Sequence, residues 1–204
     1  MIRVISQPEP PDFDARVRQP GVKFLKANPH PSDRDFKKHN YWSKAAKNLH
    51  KAYLGCCAYT TLRLLETGSV DHFLPKTRYP YLAYEWDNYR LARQKINARK
   101  GNTEEIVDPF TVQIGWFVLD LPSCLILPGN GLKQNLRKKV NSTINILQLN
   151  DDDRLVQERC DFLVDLADGD ITMNFLDQRY PFLSTEVKRQ GVENRLKVIF
   201  ARKT

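Results

Sequence analysis

The stretch SVDHFLPK, residues 69 to 76, sets an acid directly before a histidine inside an apolar, strand-like run that a proline then ends. Charged side chains are rarely buried unless paired or bound to an ion, so Asp71 and His72 need a reason to be there. Two amides follow in the same segment, Asn88 in EWDNYRLA and Asn97 in INARKG. A neutral imidazole is a good general base near neutral pH. A carboxylate and an amide carbonyl are hard oxygen donors, better suited to Mg²⁺ or Mn²⁺ than to a thiophilic metal. Lys76, Arg78, Lys95, Arg99 and Lys100 flank these residues and are candidates for phosphate contacts. A base for water, a metal for the departing oxygen and cations for phosphates together make a phosphodiester-cleaving site.

Each residue taken alone has a blander reading. A single buried histidine is most often a satisfied core residue, and basic side chains are most often a solvated surface. The joint spacing of Asp71, His72, Asn88 and Asn97 points the other way. Neighbours on a regular strand face opposite sides, so Asp71 and His72 converge only if the strand ends or bends there, as Pro75 permits.

The elements that must position these groups are short. CCAYTTL and SVDHFL read as β-rich runs separated by ETG, a hairpin-like signal. EWDNYRLA reads as a second strand or loop-strand, and RLARQKINARKG as a short basic helix closed by Gly101. Before them, residues 1 to about 40 carry Pro8, Pro10, Pro11, Pro20, Pro29 and Pro31, which predicts an extended arm. NYWSKAAKNLHKAYLG predicts a helix with Trp42, Ala45, Ala46, Leu49 and Tyr53 on one face and a stop at Gly55. From residue 104 onward, short apolar pieces are broken by Pro109, Pro122 and Pro128. Two amphipathic helices follow, striped by Leu132, Leu136, Val140, Ile144 and Leu147, then by Leu155, Arg159, Phe162, Leu163 and Leu166. The remainder predicts more helix with a break at Pro181. The expected fold is α+β and mostly helical, in three parts: an arm and helix over 1–50, the segment 51–103, and a helical region over 104–204.

Composition narrows the class. Of 204 residues, 41% are hydrophobic and 27% charged, which excludes a disordered or low-complexity chain. The formal charge of +8 favours a polyanionic partner. The start, MIRVISQPEPPDF, does not read as a signal peptide, and GWFVLDLPSCLILPG is too short and broken to span a membrane. The expected location is the cytoplasm, with Cys56, Cys57, Cys124 and Cys160 reduced. One adjacent cysteine pair and two isolated ones do not make a four-thiolate zinc site.

The segment CAYT…SVDHFLPKTRYPYLAYEWDNYRLARQKINARKGN, Cys57 to Asn102, resembles the HNH endonuclease motif, also called the ββα-metal or His-Me finger. The resemblance implies a ββα-metal finger embedded among flanking helices. It implies that His72 is the general base and that Asp71 and Asn97 hold one divalent cation, Mg²⁺ or Mn²⁺. Asn88 would orient the loop that carries His72. The last motif position is Asn97 and not histidine, an H-N-N pattern that active members also carry. Many relatives brace the finger with zinc on two C-x-x-C pairs; here the partner cysteines are missing, so no structural zinc is expected. IVDPF and NSTINILQLNDDDRLVQERCDFL resemble the region after the motif in bacterial anti-phage defence proteins of the Septu and retron-associated kind. Those proteins often work beside an ATPase. The function expected is a metal-dependent endonuclease acting on nucleic acid, DNA first, with an ATPase partner and no membrane. The alternatives are a non-cleaving nucleic-acid-binding or adaptor subunit, and an RNA-directed nuclease.

Overall fold

The structure is a computed structural model that describes residues 1–200. The last four residues of the predicted C-terminal helix lie outside it. The chain divides into two compact units. One comprises Ile5–Tyr59 and Leu64–Glu104; the other comprises Met1–Val4, Thr60–Arg63 and the residues from Glu105 onward. The fold is α+β and mostly helical, with two small antiparallel sheets. Among the described residues no helix is long and apolar enough to cross a membrane.

The first unit holds the residues singled out above. Its N-terminal segment is helical, contrary to the extended arm that the prolines suggest. A wide π-helical turn over Asp14–Arg18 runs into α1, Gln19–Ala27, and α2 follows over Asp33–Lys38. Pro20 falls where the π-helical turn passes into α1, so its missing N–H is accommodated at an irregular junction of the helical run. The wide turn before it gives room to the carbonyl that the proline ring would strike. Ser32 and Asp35 close a reciprocal capping box on α2. The buried stripe is Phe13, Val17, Gly21 and Phe24, a helical spacing masked by the prolines around it.

A 3₁₀ turn over Tyr41–Ala45 leads into α3, Ala46–Ala52. CCAYTTL is not a strand but a series of turns, and the backbone turns left-handed at Leu54 and Thr61. β1, Ser69–His72, pairs antiparallel with β2, Tyr89–Ala92, and α4 follows over Gln94–Lys100. The register sets Asp71 opposite Arg90 and His72 opposite Tyr89. Two 3₁₀ turns, Pro80–Leu82 and Trp86–Asn88, shape the connection between the strands. Tyr84 and Trp86 are buried as packing residues, with the Trp86 indole N–H donating to the Gln7 carbonyl at 2.8 Å.

The second unit joins a hairpin to helices. β3, Phe117–Asp120, pairs with β4, Leu125–Pro128. α5 spans Gln134–Ile146, α6 Asp153–Asp168, α7 Met173–Arg179, α8 Pro181–Gln190 and α9 Leu196–Ile199. Buried Glu186 on α8 accepts the Leu119 N–H at 2.8 Å, and buried Arg159 on α6 donates to the Cys124 carbonyl at 2.7 Å. These two charged side chains tie α8 and α6 to the hairpin. Cys124 and Cys160 form a disulfide, where the sequence reading keeps all four cysteines as thiols. They lie 36 residues apart in sequence, yet their Cα atoms are 5.7 Å apart, inside bridging range.

Gly21 shows how closely α1 meets the rest of its unit. A Cβ there would lie 2.1 Å from Cγ of the Tyr84 ring, itself fully buried. The substitution Gly21→Ala is therefore expected to cost about 1–3 kcal/mol by overpacking, despite alanine's better helix propensity. Urea unfolding measures it, and an unchanged or raised midpoint would contradict this packing.

Candidate active site

β1 stops at His72, the last residue paired with β2. Asp71 and His72 both border a cleft of about 220 Å³, together with Trp42, Pro75, Lys76 and Asn97. The chain leaves the strand immediately after His72, and Asn88 holds it there. The Asn88 Oδ1 accepts the Leu74 N–H at 2.8 Å, while its Nδ2 donates to the carbonyls of Leu74 at 3.0 Å and Leu82 at 3.2 Å. One buried amide thus clasps both ends of the segment between the strands.

The His72 ring is fixed on three sides. Its Nε2 lies 2.8 Å from the Ala83 carbonyl oxygen. A carbonyl only accepts, so Nε2 carries the proton and Nδ1 keeps the lone pair. Trp42 and Tyr89 contact the ring edge-on, at centroid distances of 4.9 and 5.2 Å. Burial pushes the imidazole down to about 3; the bond to Ala83 opposes this, while the charges of Lys76 and Lys100 add to it. The ring is uncharged throughout the physiological range.

Asp71 is buried and has two partners. Lys100 Nζ lies 3.0 Å from Oδ1, and the Tyr59 hydroxyl donates to Oδ2. Burial raises its pKa above the ordinary carboxylate value, against the pull of the Lys100 charge and of the hydrogen bonds from Tyr59 and Lys100. Asn97 donates through Nδ2 to Ser69 Oγ at 3.1 Å and to the Val70 carbonyl at 3.2 Å. The amide orientation leaves its Oδ1 as the atom for a ligand. One carboxylate and one amide oxygen, with water completing the shell, fit Mg²⁺ or Mn²⁺ by donor chemistry. Among the described residues no cluster of three or more His, Cys, Asp or Glu side chains forms a richer alternative.

The five basic candidates separate. Lys76 is half-buried beside the cleft, its ammonium 5.5 Å from the Trp42 ring centre and its pKa lowered by burial. Arg78 is exposed and pairs with Glu104 at 2.5 Å. Lys95 is exposed and Arg99 half-buried on α4, and neither borders the cleft. Lys100 is the correction. Its side chain has no solvent exposure and is held by Asp71 and by the His72 carbonyl at 2.7 Å, so it is not a surface phosphate contact. Sequence reasoning also missed Tyr59, the Ala83 carbonyl and the wall formed by Trp42. Only Tyr59 left a trace, as the tyrosine of CAYT; a backbone carbonyl carries no side-chain signal.

The sequence has a relative among known proteins. The chain is similar to Septu protein PtuB of Bacillus thuringiensis. The two are 33% identical over 106 residues, 50% of this chain and 40% of that protein. The chain therefore spans less than half the length of this relative. No protein-family model matches the sequence.

The fixed tautomer makes a direct prediction. An ordinary histidine half-protonates near pH 6.5; His72, whose charged form is disfavoured by burial, is expected to stay in its neutral Nε2–H form from pH 8 down to pH 5. Nitrogen-15 NMR of the imidazole rings reads this. A His72 titration midpoint near 6.5 would contradict the site as described.

Proposed function

We propose that this chain is a metal-dependent nuclease that hydrolyses nucleic-acid phosphodiesters, DNA first, and serves in anti-phage defence of the Septu kind. One observation carries the chemistry: a neutral histidine, its Nε2–H committed to a carbonyl, borders a cleft beside a carboxylate and an amide oxygen. The defence context rests on the similarity to Septu protein PtuB. The ATPase partner expected from the sequence resemblance belongs to the same proposal.

In this reading His72 Nδ1 takes a proton from water as the water oxygen attacks phosphorus. The bond from phosphorus to the 3′ oxygen breaks, leaving a 5′-phosphate. The bond to Ala83 aims the ring, and the Asn88 clasp holds the loop that supplies the Ala83 carbonyl. Lys76 at the cleft edge attracts the phosphate. Asp71 and Asn97 would hold one divalent cation, which supplies positive charge for the leaving oxygen.

Cleavage of supercoiled plasmid by the purified full chain, with Mg²⁺, Mn²⁺ or EDTA, tests the proposal. Nicking is expected only with the metal, and His72→Ala is expected to lower the rate about a hundred- to ten-thousandfold. A variant with an unchanged circular dichroism spectrum and an unchanged rate would remove His72 as the base.

A further inference from the structure

A carboxylate that is to receive a divalent cation ordinarily keeps its oxygens open to solvent or to water. Asp71 does not. Its Oδ1 is taken by Lys100 Nζ at 3.0 Å and its Oδ2 by the Tyr59 hydroxyl. The ammonium is further anchored 2.7 Å from the carbonyl oxygen of His72, the residue that supplies the base. Side-chain exposure is 0% for Lys100 and 2% for Asp71, so water does not screen this pair.

We infer that Lys100 is the resident cation of the site: its ammonium holds the Asp71 carboxylate until a divalent cation displaces it. Metal loading and release of Lys100 are then one event. The inference rests on the proposed metal site and adds its control. Two positive charges on one buried carboxylate repel strongly where the surroundings are poorly polarisable, so they compete for Asp71 and do not share it. The local backbone gives the ammonium a way out. Lys100 is the last residue of α4, and Gly101 follows it with a φ of 53°, in a conformation that favours glycine. Gly101 and Asn102 border the cleft. Rotation of the flexible lysine stem, beside the glycine that ends the helix, carries Nζ away from Asp71 while Asn97 stays in place. Lys76 cannot play this part: its ammonium lies over the Trp42 and Phe36 rings.

A purely structural ion pair would also be buried and well bonded, but it would not oppose a metal. The test therefore reads metal binding and not cleavage. Mn²⁺ binding to the full chain is measured by calorimetry for the wild type, Lys100→Gln and Asp71→Asn. Glutamine keeps a hydrogen-bond donor near Asp71 and removes the charge. Lys100→Gln is expected to bind Mn²⁺ about tenfold more tightly than the wild type, or better, as competing ligands of one site require. Asp71→Asn is expected to lose binding. A second measurement needs no variant: in the wild type, the carbon-13 resonance of Lys100 Cε should move towards that of a solvated lysine in step with Mg²⁺ addition. Equal affinity in the wild type and Lys100→Gln, with binding lost in Asp71→Asn, would overturn the lock and leave the metal site standing. A Lys100 resonance unmoved at saturating Mg²⁺ would overturn it too. Absence of binding in the wild type and in Lys100→Gln alike would overturn the metal site, and the lock with it.

Discussion

A carboxylate buried at the end of a two-stranded sheet must be neutralised, and that requirement organises the whole unit around Asp71. Leaving one member of a buried ion pair without its partner costs about 3–5 kcal/mol. The chain meets the demand from two directions: Tyr59 comes from the turns before the sheet, and Lys100 from the end of the helix after it. The same ammonium also bonds the His72 carbonyl, so the end of β1 and the end of α4 are pinned to one charge. Strand and helix share this electrostatic knot, which adds to the amide bonds that Asn97 makes to β1 and Asn88 makes to the loop.

The proposed base beside that knot is built differently. Among the described residues His72 has no carboxylate partner; it is positioned by a backbone carbonyl and two aromatic rings, and burial keeps it uncharged. The adjacent residues thus face opposite conditions. Asp71 needs a cation to stay ionised, whereas His72 is prevented from becoming one. A charged acceptor and an uncharged imidazole thus stand side by side. This follows from where β1 stops and from the Asn88 clasp that fixes the loop beyond it.

Much of this was legible in the sequence, for identifiable reasons. The order of strand, strand and helix over β1, β2 and α4 shows in residue type and in the stop at Gly101. The loop-holding role of Asn88 came from the resemblance to the HNH motif, and the bonds it makes to Leu74 and Leu82 agree with it. Other features were hidden. The prolines of the first forty residues concealed the helical spacing of Phe13, Val17, Gly21 and Phe24, since Pro20 falls where a helix tolerates it. CCAYTTL carries strand-forming residues, yet Thr61 is left-handed and the run turns away. Lys100 looked like one more basic residue of a solvated cluster. Its burial depends on a tertiary partner 29 positions earlier, which no local pattern reports. The pairing of Cys124 with Cys160 was hidden for the same reason.

The state of the site turns on what Asp71 binds when a divalent cation is supplied. A crystal structure of the full chain grown with Mn²⁺, with anomalous data collected at the manganese edge, answers this most directly. The account predicts an anomalous peak within about 2.5 Å of an Asp71 carboxylate oxygen and of Asn97 Oδ1, with Lys100 withdrawn. An anomalous map with no peak at Asp71, and Lys100 still seated on it at saturating Mn²⁺, would contradict it.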